Sequence, residues 1–243
     1  MQTVLDIDLD FFVSPIKNWH ASRDRLSEAD YSVDVDALSF FERQCGFGRK
    51  TRIHGACFEE HDELFDFAIK NFHGPIHLIH VDAHADIGGG LSTGWRYVVT
   101  EYLDLDKDAR QNPQRGDNFL NPGNFIVFLA ACGFLREVTF VSHPLWHDDY
   151  GSIYMRNFDP NSEALQLKRF KLADIEAAGV GGLQNVPHQT EEPIPFRRIP
   201  QTDFQLRNPP DLMFVTRSPG YTPKSADKLY DEISKYIEVN LEK

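Results

Sequence analysis

The sequence predicts a single α/β domain on a mainly parallel sheet. Apolar segments of strand type alternate along the chain with segments whose apolar side chains recur at helical spacing, which is typical of parallel strand–helix–strand units. Acidic side chains follow two of the predicted strands, at the position where α/β folds place functional sites. No internal repeat or evident linker divides the chain, so we expect one domain over residues 1–243.

Eight segments have the periodicity of a regular element. A period of two, or a short continuous apolar run, predicts a strand, and apolar positions three or four residues apart predict a helix. The predicted elements are strands over residues 3–13, 76–81, 137–142, 163–172 and 211–216, and helices over residues 61–72, 124–134 and 223–241.

In chain order, residues 3–13 alternate apolar and acidic side chains and therefore predict a strand. Residues 61–72 have apolar side chains at positions 64, 65, 68, 69 and 72, and a Gly-Pro pair ends this helix. Residues 76–81 form a short apolar run of buried type. Residues 124–134 are apolar on most sides, which indicates a buried helix.

The C-terminal elements follow the same logic. Residues 137–142 and 211–216 are short apolar runs that lead into loops rich in polar side chains. Residues 223–241 are amphipathic and begin with a Pro, as many helices do. Three stretches give no regular prediction: residues 14–52 mix signals, residues 92–122 suggest a long polar surface excursion, and residues 178–210 are expected to be irregular.

Composition excludes several classes of protein. The formal net charge of −12 disfavours binding to nucleic acids and to anionic membranes. No apolar run approaches the about 20 residues that span a bilayer, and the N-terminus lacks the features of a secretory signal. Three widely spaced cysteines without a CxxC pair suit a reducing compartment. We therefore expect a cytoplasmic protein that acts on a small molecule. The sequence leaves open whether it forms a homo-oligomer.

Acidic side chains at two predicted strand ends indicate a cation site. The strand period puts Asp8 and Asp10 on one face, and the same period brings Asp82, His84 and Asp86 together. Carboxylates crowded in this way raise one another's pKa unless positive charge compensates. Acid-rich ligands with one or two imidazoles favour Mn²⁺ or Fe²⁺, with Zn²⁺ as an alternative. Bridging carboxylates suit two ions with a hydroxide between them as nucleophile.

Several motifs resemble a known family. VDAHADI at 81–87 resembles the DAHxD signature of the arginase and agmatinase metallohydrolases, and LDIDLDF at 5–11 resembles their DxD strand. Glu60-His61 before a helix and VTRSPGYTP at 215–223 resemble two further segments of these enzymes. The combination is most similar to a branch of the arginase/agmatinase/histone-deacetylase (ureohydrolase) superfamily that has no established substrate. The resemblance implies a three-layer, arginase/deacetylase-like domain.

The resemblance also implies a ligand set for two divalent ions, Mn²⁺ first among the candidates. Retaining both His61 and the second acid of DAHxD indicates a binuclear site, because mononuclear deacetylases lack that acid. Asp6 stands where the family has a small polar residue, so the resemblance implies that it supports the ligands from behind. A shift of the register by one step would instead make Asp6 a ligand. The implied roles are Asp82 and Asp8 as bridges, His84 and Asp10 at one ion, and His61 and Asp86 at the other.

Two departures from the family affect the expected order of strands and the substrate. The DxD strand opens the chain here instead of following DAHxD, so the core strands are permuted in sequence. The carboxylate that pairs with a guanidinium in arginase-type enzymes is replaced by Thr216, with Arg217 beside it. An amide, or a substrate with an anionic group held by Arg217, is therefore favoured over a guanidine. Arg217 has an alternative role as a structural arginine.

Other residues give weaker signals. His143 and His147 follow a predicted strand and are candidates for proton transfer, together with Asp10. A capping or packing role is the alternative for both histidines. Asn124 either faces the substrate or caps a helix. His80 has the parity of Asp82 and could contact the ligands from behind. The sequence thus predicts a metal-dependent hydrolase of a C–N bond. The alternatives are a catalytically silent metal- or ligand-binding protein and, ranked lower, a phosphoesterase.

Overall fold

Regular structure in this computed structural model follows the predicted alternation of strands and helices. The structure describes residues 1–18, 24–88, 94–149 and 151–239. The strands are β1 Thr3–Asp8, β2 Val13–Ser14, β3 Ser32–Val33, β4 Ile53–Phe58, β5 Ile76–Asp82, β6 Leu135–Ser142, β7 Ala164–Leu165, β8 Lys168–Phe170, β9 His188–Thr190, β10 Ile194–Pro200, β11 Leu212–Thr216 and β12 Ile237–Glu238. The α-helices are α1 Ala37–Arg43, α2 Glu63–Asn71, α3 Gly94–Thr100, α4 Phe125–Cys132, α5 Leu172–Ala178 and α6 Asp227–Ser234.

Eight strands form one large sheet in the order β12-β4-β11-β1-β5-β6-β10-β7. Every neighbouring pair is parallel except β10 and β7. The prediction of a mixed α/β fold on a mainly parallel sheet is therefore confirmed. Because β1 lies between β11 and β5, the end of the first strand meets the ends of two strands that are distant in sequence.

Both faces of the sheet are buried under helices. On β1, Val4 belongs to a core that includes α2, α3 and α4, whereas Leu5 belongs to a second core that includes α1 and α6. Leu78 and Ile79 divide between the same two cores on β5. This alternation follows from the strand period, and it places Asp6, which has the parity of Val4, on the face that packs against α2 and α4.

The structure corrects several predicted elements. The first strand ends at Asp8, and Leu9–Phe12 form a 3-10 turn instead of continuing it. The region over residues 92–122 is not only a surface excursion, because α3 buries Val98 and Val99. The region over residues 178–210 is not irregular throughout, because β10 pairs with β6 in the sheet.

Two more predictions are corrected near the C-terminus. The predicted strand over 163–172 consists of two short strands, β7 and β8, and the first residue of α5. The predicted helix over 223–241 ends at Ser234, and the chain then forms β12 against β4. Residues 92, 93, 240 and 241 of these predictions lie outside the described residues. β4 was not predicted. No helix in the described residues is both long and apolar enough to cross a bilayer.

Helix α4 packs on the buried face of the sheet, ends at Cys132 and is capped by Gly133. Gly133 has a φ of 81° and lies in the left-handed region, and its N–H bonds the carbonyls of Leu129 and Ala130. A side chain is disfavoured in this conformation by about 1–2 kcal/mol. We expect Gly133→Ala to lower the free energy of unfolding by that amount, measured by urea denaturation. Gly48→Ala, at a site with open space around the added methyl, is the control.

Candidate metal centre

The predicted acids converge at the C-terminal edge of the sheet. Asp8 is the last residue of β1, and Asp82 is the last residue of β5, the neighbouring parallel strand. His61 lies between β4 and α2, and reaches the same place. Chain segments far apart in sequence therefore meet, as the parallel arrangement of their strands requires.

One set of ligand atoms surrounds the imidazole of His61. Its Nδ1 lies 3.0 Å from Asp8 Oδ2, 3.1 Å from Asp82 Oδ2 and 3.0 Å from Asp86 Oδ2. All four side chains are buried, Asp86 the least at 8% exposure. Three carboxylate oxygens thus lie within 3.1 Å of one ring nitrogen, and Asp8, His61 and Asp82 form a group whose ligand atoms are close enough to hold one ion.

A second set shares Asp82 with the first. His84 Nδ1 lies 3.0 Å from Asp10 Oδ2 and 3.7 Å from Asp82 Oδ1. The two oxygens of Asp82 therefore face different sets, as expected of a bridging carboxylate. The other ring nitrogen of His84 is 3.0 Å from the carbonyl oxygen of Lys17. In both predicted bridges Oδ1 also accepts a backbone hydrogen bond, in Asp82 from the N–H of His84 at 2.7 Å and in Asp8 from the N–H of Asp10 at 3.0 Å.

Buried atoms of these sets fit a cation. Among the described residues, neither His61 Nδ1 nor Asp82 Oδ2 forms a hydrogen bond, although oxygens lie within 3.1 Å of that nitrogen. Buried polar atoms without a partner are costly, so an unpaired nitrogen and oxygen at one point indicate a ligand. Two ligand atoms at right angles around one ion, each about 2.1 Å from it, are about 3.0 Å apart. The distances at His61 match this geometry.

Asp6 orients the imidazoles from behind. Its Oδ2 accepts hydrogen bonds from His61 Nε2 at 2.9 Å and from His80 Nδ1 at 2.8 Å. A carboxylate behind a metal-binding histidine fixes the orientation of the ring. Asp6 thus lies behind the two rings, and with His61 and His80 it also forms a group whose ligand atoms are close enough to hold an ion. His80 lies beside Asp6 and, through its other nitrogen, 3.4 Å from Asp82 Oδ2.

The carboxylates repel one another strongly. Burial and the charges of Asp10, Asp86 and Asp8 raise the pKa of Asp82 well above its usual value. Burial and Asp10 also raise the pKa of Asp8. Each of these shifts shows that ionising the cluster costs free energy without a compensating cation.

The imidazoles respond in the opposite sense to their burial. Burial alone lowers the pKa of His61, but the carboxylate of Asp6 and the nearby carboxylates of Asp8 and Asp82 raise it well above the usual value. For His84, burial is likewise outweighed by Asp10 and Asp82, and its pKa is well above the usual value. The cluster therefore attracts positive charge, which either protons or divalent cations can supply.

Two residues of the site have a left-handed backbone. Asp86 has a φ of 48° and Ser218 a φ of 45°. Non-glycine residues adopt this conformation at a cost, and it occurs often at functional sites. Ser218 lies two residues after the end of β11, and its hydroxyl donates a hydrogen bond to Asp8 Oδ2. Sequence reasoning missed Ser218, although it stands next to Arg217 in the motif.

We expect Ser218→Ala to weaken the first ligand set without abolishing it. The substitution removes a hydrogen bond that holds Asp8 Oδ2, and loss of such a supporting contact costs about 10- to 100-fold in metal affinity. The measurement is competition with a metal indicator. Ser225→Ala, which lies at an exposed position, is the control. An unchanged affinity in Ser218→Ala would contradict a supporting role for this hydroxyl.

Arg217 and Thr216, two of the predicted substrate-binding residues, both form contacts within the protein. Arg217 stacks on the ring of Tyr230, with its guanidinium carbon 4.3 Å from the ring centre, and lies 3.4 Å from Glu59. These contacts within the protein are of the kind expected of a structural arginine, the alternative to a substrate-binding role. Thr216 is fully buried opposite Asp8 in the sheet register.

Asn124 is part of a helix cap. Its Oδ1 accepts the N–H of Asn121, and its Nδ2 donates to the carbonyl of Phe119. Together with Asn121 it forms a reciprocal cap at Pro122–Asn124, just before α4. Asn124 thus has the position of a capping residue, and both its Oδ1 and its Nδ2 form hydrogen bonds in the cap.

Of the two histidines after β6, only His143 faces the cluster. His143 is buried, and burial lowers its pKa, while the charges of Asp10 and His84 also act on it. Its Nδ1 accepts the N–H of Leu145, and its Nε2 lies 3.4 Å from the Ser14 hydroxyl. His147, by contrast, is exposed.

Asp149 was not singled out from the sequence. Its carboxylate accepts hydrogen bonds from the N–H of Ala85, between two predicted ligands, and from the indole of Trp146. Burial raises its pKa to about 6. The run of two acids after His147 was the only signal that could have identified it.

Comparison of this chain with models of protein families, with curated proteins and with solved structures finds no match.

Proposed function

We propose that the protein is a metal-dependent hydrolase that cleaves a C–N bond, with an amide as substrate in preference to a guanidine. The observation that carries the proposal is the pair of buried ligand sets that share Asp82. One set contributes His61 Nδ1 with three carboxylate oxygens, and the other contributes Asp10 and His84. This donor composition fits two divalent cations, with Mn²⁺ the first candidate and Zn²⁺ or Fe²⁺ the others.

The proposal includes membership of the arginase/deacetylase superfamily. The motifs at 5–11 and 81–87 suggested it, and the large, mainly parallel sheet with acids at its C-terminal edge supports it. The permuted position of the DxD strand is compatible with convergence, because β1 and β5 are neighbours in the sheet.

Divalent cations at this edge would supply Lewis acidity, which activates water and stabilises negative charge on the substrate oxygen. The protein's own residues hold and move the proton. Asp10 stays ionised, since His84 outweighs the effect of burial and lowers the Asp10 pKa. His143 stays neutral near pH 7, because burial lowers its pKa. We assign proton acceptance to Asp10 and hydrogen-bond donation toward the substrate to His143.

An amide fits the end of β11 better than a guanidinium does. The uncharged Thr216 is opposite Asp8, at the place where the resemblance would put a substrate-pairing carboxylate. Arg217, the adjacent cation, is positioned on Tyr230. A cationic substrate would therefore have no counter-ion from this strand, whereas a neutral amide needs none.

A second candidate function is a binding protein that holds the ions but does not turn over a substrate. Its supporting observation is that Arg217 and Asn124, the residues expected to grip a substrate, are engaged within the protein. The ligands are also largely buried, with only His84 more than 9% exposed, at 17% for its side chain.

The two functions are separated by metal analysis followed by an activity screen. We expect purified protein reconstituted with Mn²⁺ or Zn²⁺ to hold about two equivalents. The screen would then compare acetylated amines, ureido compounds and guanidines. Hydrolysis of an amide that is lost in Asp10→Asn and kept in Asp66→Asn, an exposed residue of α2, supports the hydrolase. Less than one equivalent of metal contradicts both functions, and two equivalents with no turnover favour the binding protein.

A further inference from the structure

In the described part of the chain, a further buried imidazole besides those of the predicted ligands and His143 lies against the cluster. His80 is fully buried on β5, two residues before Asp82 and therefore on the same face of the strand. Its Nε2 lies 3.4 Å from Asp82 Oδ2 and 4.0 Å from Asp86 Oδ2. Among the described residues this nitrogen forms no hydrogen bond.

Asp6 determines which nitrogen of each ring is free to bind a metal. Both His80 Nδ1 and His61 Nε2 contact the same oxygen, Asp6 Oδ2. This oxygen lies 2.9 Å from His61 Nε2 and 2.8 Å from His80 Nδ1, so the carboxylate accepts one hydrogen bond from each ring. Both of these ring nitrogens therefore carry hydrogen. In neutral rings, the lone pairs are left on His80 Nε2 and His61 Nδ1.

Those two lone-pair atoms face the same carboxylate oxygens. Asp82 Oδ2 is 3.1 Å from His61 Nδ1 and 3.4 Å from His80 Nε2, and Asp86 Oδ2 is 3.0 Å and 4.0 Å from them. Ligand atoms about 2.1 Å from a shared ion are between about 3.0 Å apart at right angles and about 4.2 Å apart on opposite sides. These four nitrogen-to-oxygen distances lie within this range, and His80, Asp82 and Asp86 form a group whose ligand atoms are close enough to hold an ion.

We infer that His80 is a direct ligand of the ion beside His61, so that one cation is held by two imidazoles through opposite ring nitrogens. This inference rests on the proposed metal centre and refines its composition. Two imidazoles favour Zn²⁺, Fe²⁺ or Co²⁺ over Mn²⁺ and Mg²⁺, whereas the set of Asp10, Asp82 and His84 has one imidazole and suits Mn²⁺. The two positions should therefore prefer different metals.

The direct test uses the unmodified protein, labelled with ¹⁵N-histidine and loaded with ¹¹³Cd²⁺. We expect one cadmium resonance coupled to two histidine nitrogens, one Nδ1 and one Nε2, and a second resonance coupled to one nitrogen. Two resonances that each couple to a single nitrogen would overturn the inference and leave the metal centre intact. If no cadmium binds, the proposed function fails together with the inference.

A substitution tests the preference for particular metals. We expect His80→Gln to lower the affinity for Zn²⁺ by more than about 100-fold at one position, and the affinity for Mn²⁺ at the other position by less than about tenfold. His77→Gln is the matched control, because His77 lies on the same strand with its Nε2 2.9 Å from the Thr139 hydroxyl. An equal loss for both metals would show that His80 only positions Asp6 and its neighbours, and would overturn its role as a ligand.

Discussion

Asp82→Asn should remove both cations from the protein, with the affinity for each falling by more than about 100-fold. Loss of a supporting contact alone costs about 10- to 100-fold, and Asp82 contributes an oxygen to each ligand set directly. The side chain keeps its shape in this variant, so the loss reports on charge and coordination. The measurement is metal content after dialysis, followed by titration against an indicator.

Variants of the unshared ligands are the controls for Asp82→Asn. Asp86 faces only the set around His61, and Asp10 belongs only to the set with His84. We expect Asp86→Asn and Asp10→Asn each to retain one equivalent where Asp82→Asn retains none. Two tightly bound equivalents in Asp82→Asn would contradict the shared site.

The same variant should be more stable than the parent when both are free of metal. Burial and three neighbouring carboxylates raise the pKa of Asp82, which means that its ionised form destabilises the fold near neutral pH. Asn carries no charge and removes this repulsion. A higher melting temperature for chelated Asp82→Asn than for the chelated parent would show that the carboxylate of Asp82 lowers the stability of the metal-free fold.

The sequence was most informative where one pattern determined an element. The strand that carries Asp82 and the apolar helix α4 were predicted within two residues of their observed ends. The strand that carries Asp8 was predicted with the correct start but extended to residue 13, past its end at Asp8. β4 was missed because its burial is uneven, with His54 and Cys57 exposed between buried neighbours. β10 was missed because Pro195 and Pro200 obscured a strand near one side of the sheet, where only β7 lies beyond it.

Residue type and spacing predicted which residues belong to the metal centre better than they predicted what each residue does there. The convergence of Asp8 with Asp82 required that β1 and β5 be neighbours, and strand order is not encoded in local periodicity. Asp10 illustrates the limit: it was placed on a continuous strand, yet it lies in a 3-10 turn and still reaches His84. The contact of Ser218 with Asp8 spans 210 positions and leaves no local pattern.

Removing the ions should destabilise the protein, and the effect should grow as the pH rises from 6.5 to 8. At a free concentration about 100 times its dissociation constant, each bound ion adds about 2.7 kcal/mol to the free energy of unfolding. For a chain of this length, each kcal/mol corresponds to about 2–4 °C in melting temperature. Chelation should therefore lower the Tm by about 5–10 °C for each ion.

The pH dependence of the chelated protein follows from the direction of the pKa shifts. His61 and His84 have folded-state pKa values above their ordinary value of 6.5. Their stabilising contribution is fully present below 6.5 and is lost as the pH rises through the folded-state pKa. The raised pKa of Asp82 acts in the same direction. One extra proton held from pH 6.5 to 8 is worth about 2 kcal/mol.

The window between pH 6.5 and 8 separates the cluster from other titrating groups. His143 and Lys168 shift in the opposite direction, but the lowered pKa of His143 acts below 6.5, and the Lys168 pKa, which burial lowers to about 8, acts above the window. Cations replace the protons in the loaded protein, so its stability should change less with pH. The measurement is the Tm of chelated and metal-loaded protein in matched buffers at several pH values. Parallel curves for the two forms would mean that protons and cations do not compete for the same buried carboxylates, and the metal centre would then have to be rejected.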